Sequence, residues 1–216
     1  MATKLYFSSE APSFTPALEA GYYDTSALRR GKLKLFKDGS GDNRAYTGVA
    51  TDFWQQEAAW QFVSDPMLAG ITFVNNSTIQ HGFIGSKCSD SYQGQLQIYV
   101  KIYNSGGSKV AMWQGNVGAT DGTTAYHTVV NSTYTLYNGS TYTTQAGDIL
   151  VIEIGTYCFN GGSFIPGTSF QVGFSSSTSQ SDASATGQIP TTYSSWWSVE
   201  LDGLFPSTST GFFDLF

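Results

Sequence analysis

Residues 95–103 alternate without a break. Leu96, Ile98, Val100 and Ile102 fall on one side of an extended chain, and Gln95, Gln97, Tyr99, Lys101 and Tyr103 fall on the other, because successive strand side chains point to opposite faces. A period of two gives one dry and one wet face, the pattern of an antiparallel sheet packed on one side. The run Ile149-Leu150-Val151-Ile152-Glu153-Ile154 is nearly continuous and predicts a central strand. Further strands are predicted near 32–37, 53–63, 68–74, 79–85, 109–114, 127–137, 168–176 and 195–201. Turn signals separate them: Asn104-Ser105-Gly106-Gly107, Asp121-Gly122, Asn138-Gly139, Ala146-Gly147-Asp148, Asn160-Gly161-Gly162 and Pro166-Gly167. About eight to ten short strands at this spacing predict an all-β fold, an antiparallel β-sandwich of jelly-roll type.

An extended N-terminal arm is expected ahead of it, over residues 1–45, with the sandwich over 46–216. Pro12 and Pro16 each fix φ and disfavour helix at the residue before them. Asp38-Gly39-Ser40-Gly41-Asp42-Asn43 reads as a polar turn. Residues 175–188, almost wholly Ser, Thr, Gln, Gly and Ala, read as a long polar loop or mobile flap. Phe212-Phe213-Asp214-Leu215-Phe216 carries four large apolar side chains, which would be a solubility hazard in water and are expected to be docked.

Charge is distributed unevenly. Seven of the ten Lys and Arg residues lie before position 45, against five acids, so that segment carries +2. The rest holds three bases against eleven acids, or −8. An acidic body behind a basic leader is self-complementary between copies, which points to an assembly component. Charged residues make up only 12% of the chain, whereas aromatics reach 15%. Hydroxyl and amide side chains therefore cover the surface, and these desolvate more cheaply at a protein interface than Lys or Glu do. Residues 1–20 show no basic start followed by an apolar run, so no leader peptide is expected. No window approaches the apolar length of a membrane span. Cys88 and Cys158, far apart in sequence, are expected as free thiols.

Catalytic chemistry finds little footing. His81 and His127 have no third nitrogen or thiol ligand at recognisable spacing, so neither a metal nor another cofactor is expected. Gly-x-Ser-x-Gly is absent. Glu153 and Glu200 are the carboxylates nearest to a glycosidase pair. The alternation puts Glu200 on a wetter face, while Glu153 is placed to pair across strands with Lys101. A non-enzymatic protein is the expectation. Asp38–Asn43 has oxygen ligands at the first, third and fifth positions of a calcium loop, but Val49 stands where a bidentate Glu belongs.

Binding residues are more legible. Arg29-Arg30-Gly31-Lys32-Leu33-Lys34-Leu35-Phe36-Lys37 predicts a strand with a basic and an apolar face. Nucleic acid is one conceivable partner. The acidic whole, with a pI near 4.7, favours an acidic protein neighbour instead. Tyr22, Tyr23 and Trp196 join Arg29, Arg30, Lys32, Lys34 and Lys37 as candidate contacts. In a strand, the Trp196-Trp197 pair sends one ring to each face, so one indole is expected to be exposed or at an interface, with glycan or protein.

The opening, Thr3-Lys4-Leu5-Tyr6-Phe7-Ser8-Ser9, followed by Phe14 through Ser26 and the Arg29-Arg30 pair, resembles the start of minor virion proteins of tailed bacteriophages. Trp60 to Gly70 and Ala146 to Glu153 continue the resemblance into the body. It implies a jelly-roll capsid decoration or cement protein, located in the virion, with no enzymatic residues to carry over. Its partners would be the major capsid protein, other virion subunits and copies of itself, a trimer suiting a local three-fold axis, with neither nucleic acid nor membrane involved. A receptor- or glycan-binding sandwich of a tail or fibre is the alternative.

Overall fold

The computed structural model describes residues 3–19, 22–23, 28–41, 43–46, 56–74, 80–88, 94–120, 127–131, 141–158, 170–184, 193–199, 201 and 203–206. Among them the regular elements are all strands: β1 (Thr3–Ser8), β2 (Tyr22–Tyr23), β3 (Arg29–Lys34), β4 (Asn43–Tyr46), β5 (Gln56–Pro66), β6 (Thr72–Phe73), β7 (Gln80–Cys88), β8 (Gly94–Tyr103), β9 (Lys109–Thr120), β10 (His127–Asn131), β11 (Tyr142–Thr143), β12 (Ile149–Cys158), β13 (Phe170–Phe174), β14 (Ser181–Asp182), β15 (Tyr193–Ser194) and β16 (Trp196–Val199). The alternating segment is β8, and the continuous apolar run is β12, which pairs antiparallel with both β8 and β5. The strand expected over 68–74 is only Thr72–Phe73, because a turn at Ala69-Gly70, with Gly70 at φ 84°, occupies the rest. Sequence beyond Asn131 in the strand expected over 127–137 lies outside the described residues.

Twelve strands form one sheet in the order β4-β13-β7-β16-β1-β3-β5-β12-β8-β9, with β10 also on β7 and β2 also on β5. Its ladders are antiparallel except where β2 and β3 run parallel to β5. In that order β13 and β5 are five steps apart, which in a flat sheet would separate them by roughly 24 Å. Yet the Trp60 and Phe174 rings lie 4.8 Å apart, and Trp60 Nε1 donates to the Val172 carbonyl at 3.0 Å. The sheet therefore curls until its flanks face one another, and the fold is an all-β sandwich-like unit. Leu5, Phe7, Leu33, Trp60, Phe62, Ile98, Val100, Ile102, Trp113, Ile152, Phe174 and Trp197 fill the space between the flanks. A register shift between Ile154 and Gly155 puts Ala59 and Trp60 in the same core although they are adjacent in sequence, the effect of a β-bulge.

Residues 1–45 share this sheet. β1 and β3 occupy its middle, Leu5, Phe7 and Leu33 belong to the core, and residue 45 falls inside β4. Gly31 marks the tightest junction. A Cβ there would lie 2.0 Å from the Ser8 carbonyl oxygen and 2.9 Å from the Phe62 ring, so only glycine lets β1, β3 and β5 meet. The extended part of the arm is Ser9–Glu19, which has no ladder of its own and crosses the second face of β5, β12 and β8. That face, expected to be wet, is covered. Gln61, Gln97, Tyr99, Lys101 and Tyr103 are all buried.

The Ser-rich stretch differs from expectation as well. Ser175 and Ser176 are fully buried, and backbone bonds tie them to Ser195 and to the turn at Gly39-Ser40. Small hydroxyl side chains fit where three segments crowd together. Residues 185–188 lie outside the described residues.

Candidate interaction surface

The basic residues on and around β3 find their acids within this chain. Lys32 and Lys34 both reach the Glu10 carboxylate, Lys34 at 2.5 Å. Those two hydrogen bonds hold Glu10 below its ordinary pKa. Lys37 lies 2.8 Å from Asp182, which also accepts from Lys4 at 2.6 Å and from the Tyr6 hydroxyl at 3.0 Å. Burial pushes Asp182 upward, but hydrogen bonds from Lys37 and Lys4 outweigh it and the net shift is downward. Burial and the Asp182 charge raise Tyr6 to about 12. Asp38 is also lowered: burial opposes ionisation there, and hydrogen bonds from Ser8 and Ser40 more than offset it. Thus Glu10, Asp38 and Asp182 already take the place that the sequence reading gave to an acidic neighbour.

The other candidates scatter. Arg29 is exposed, its guanidinium 6.0 Å from the Trp60 ring centroid, and Arg30 Nε donates to Gln61 Oε1 at 3.0 Å. Tyr22 and Tyr23 pair in register with Gln56 and Glu57, but their side chains lie outside the described residues. Neither indole of Trp196-Trp197 is exposed, contrary to expectation. Trp197 is in the core, and Trp196 is 8% exposed. The Trp196 Nε1 donates to the Ala183 carbonyl, and Lys4 Nζ sits 4.4 Å from its ring centroid. Residues 181–184 and β1 therefore cover the ring that a sugar would need.

Beneath the arm lies a polar cluster. Lys101 and Glu153, both fully buried, form an ion pair at 2.5 Å, as the cross-strand reading expected. Gln61 Nε2 donates to Glu153 Oε1 at 2.9 Å and to the Pro16 carbonyl at 3.0 Å. Lys101 Nζ and the Tyr103 hydroxyl both donate to the Ala17 carbonyl, and the Glu19 amide donates to Glu153 Oε2. Sheet side chains thus hold the backbone of the arm. Phe14, edge-on to Tyr103 at 5.5 Å, and Leu18 add apolar contacts. Glu153 has no exposed surface from which to meet a substrate. Glu200, the side chains of Cys88, Cys158, His81 and His127, and Val49 of the calcium-like loop lie outside the described residues. No three metal-ligating side chains converge among the described residues.

Among the described residues an open apolar surface stands out, and the sequence reading did not single it out. Where β3 ends in a bend, Leu35 is 45% and Phe36 is 63% exposed. Beside them runs a groove of about 300 Å³ lined by Leu33, Leu35, Asp65, Pro66, Phe205 and Pro206. Leu68, 41% exposed, lies close by, its amide bonded to the Leu204 carbonyl. Leu35 and Phe36 were legible only as part of a basic strand. Their exposure follows from the bend, which takes them off the ladder after Lys34.

No protein-family model and no curated protein matches the chain. Among solved structures it is similar to an α-amino acid ester hydrolase, with TM-score 0.43 and 11% identity over 93% of this chain and 36% of the other. It is also similar to a CocE/NonD family hydrolase from Staphylococcus aureus, with TM-score 0.42 and 11% identity over 93% and 36%. The chain spans about a third of the length of each. Both are hydrolases, and with that finding the expectation that the chain is not an enzyme is withdrawn. At this level of likeness no catalytic residue, substrate or reaction passes to it.

Proposed function

We propose that the protein is a structural component of a tailed-bacteriophage particle, decorating or cementing its capsid. Its partners are the major capsid protein or other virion subunits and further copies of itself. The observation that carries this reading is the exposed apolar bend just after β3, with Leu35 at 45% and Phe36 at 63%. Burying one such side chain is worth about 1.5–3 kcal/mol, and a contiguous exposed apolar patch marks a contact site more often than it marks chance. The charge-poor, hydroxyl-rich composition and the resemblance of the opening residues agree with a protein that meets other protein.

Phe36→Asp tests it. Particles assembled with this variant should lack the subunit, while the purified variant melts within about 0.5 kcal/mol of wild type because the side chain is exposed. Incorporation at the wild-type level would sink the reading. Normal incorporation together with lost adsorption to host cells would favour a receptor-binding module of a tail or fibre instead.

A further inference from the structure

The patch after β3 carries a projection and a recess side by side. Phe36 is the most exposed large apolar side chain among the described residues. Its sequence neighbour Leu35 lines the apolar groove, together with Leu33, Asp65, Pro66, Phe205 and Pro206. The bend after Lys34 produces both features: Leu35 turns to the groove, and Phe36 stands clear of it. We propose that this patch is the contact between two copies of the chain related by a two-fold axis, with Phe36 of each seated in the groove of the other. The neighbour at the Phe36 surface is then a second copy. The contact stands on its own evidence, and its purpose in a particle rests on the assembly reading.

Three observations select a second copy. The first is adjacency. A partner that filled only the groove would leave Phe36 in water, and one that covered only Phe36 would leave the groove open. A copy turned by half a rotation satisfies both, because an isologous contact brings residue i to j and j to i. With projection and recess in one patch, the pair closes on itself and does not grow into a filament. The second is size. An apolar cavity of about 150 Å³ already accepts benzene, so a groove of about 300 Å³ accepts the Phe36 ring. The third is charge. Lys34 Nζ lies 5.8 Å from the Phe36 ring centroid, and Asp65 is the charged residue on the groove wall. Seating Phe36 therefore carries a cation toward an exposed carboxylate. Lys34 already has Glu10 and Asp38 on its own chain, so this third acid adds little and the apolar contact carries the affinity.

Sedimentation velocity of the purified full-length protein, from about 1 µM to about 500 µM, reads the contact directly. One aromatic anchor per copy predicts a dimer of about micromolar affinity or weaker, and no larger species. Phe36→Asp should weaken it at least about a hundredfold, as the loss of a hot spot does. Asp65→Lys should weaken it by less than about tenfold, as suits an exposed ion pair. Mixing decides whether the contact is reciprocal. Phe36→Ser keeps the groove and lacks the ring, whereas Leu35→Asp keeps the ring and spoils the groove. The mixture has one intact seat and should associate at least about tenfold more tightly than either variant with itself. If Leu35→Asp unfolds, Pro206→Asp, at an exposed lining residue, takes its place. Wild type that stays monomeric at about 500 µM, a dimer indifferent to Phe36→Asp, or a mixture no more associated than its parts overturns the proposal. Monomeric wild type whose Phe36→Asp variant is lost from particles would overturn it while leaving the assembly reading in place, with another virion subunit as the neighbour. A dimer that depends on Phe36, combined with normal incorporation of Phe36→Asp, would sink the assembly reading and keep this contact.

Discussion

On one side of β5, β12 and β8 lie Trp60, Phe62, Ile98, Val100, Ile102 and Ile152. On the other lie Gln61, Tyr99, Lys101 and Glu153, and both sets are buried. The apolar side is dry because the sheet curls onto itself. The polar side is dry because Phe14, Pro16, Ala17, Leu18 and Glu19 cross over it, and Gln61 Nε2, Lys101 Nζ and Glu153 are bonded to one another or to that backbone. The first face is held by area removed from water and needs only the right volume. The second needs every partner present, since an unmatched buried charge costs several kcal/mol. What the pair of faces teaches is that the polar one is the more brittle.

Lys101→Met breaks that comparison hardest. It leaves Glu153 buried without its cation and should cost about 3–5 kcal/mol in urea unfolding. Lys101→Met/Glu153→Met should recover much of that loss, and a double variant as unstable as the single would show the charge not to be the cause. Ile152→Ala, on the apolar face of the same strand, should cost about 2–5 kcal/mol, with no rescue from any change across the strand. A full rescue by Glu153→Met would mean that the two faces are not separate.

Acid provides the mildest test. Glu10, Asp38 and Asp182 are all lowered from their ordinary 4.5, 3.8 and 3.8. A depressed carboxylate contributes stability that is complete above its unfolded pKa and is lost as the pH falls through its folded one. Thermal stability should therefore be level from pH 7 to about 5 and decline progressively below that. The loss should be modest, because Glu10 is exposed and Asp182 is partly so. A decline beginning near pH 6 would instead point to a histidine.

Strands β8 and β12 were legible because period two and apolar continuity are local properties. The Lys101–Glu153 pair was legible for the same reason, as a cross-strand match. The central position of β1 and β3 was not. Lys4, Lys32 and Lys34 read as surface, and only the fold brings Glu10 and Asp182 to meet them. Burial of the polar face also escaped the sequence, since nothing in Gln61 or Lys101 says that Pro16 and Ala17 will lie above them. Trp196 misled for a related reason. Strand alternation correctly turned it away from the core, but residues 181–184 cover it there.

The pairing of Leu5 with Trp197 sets the order of events during synthesis. Strand β1 must wait for β16, which is made much later, before that edge is satisfied. At about 5–20 residues per second, that is a delay of tens of seconds, during which an apolar strand edge is open to its neighbours on crowded ribosomes. Non-local pairing of this kind is slow to form, so the edge of β1 stays exposed for longer than any local hairpin would be.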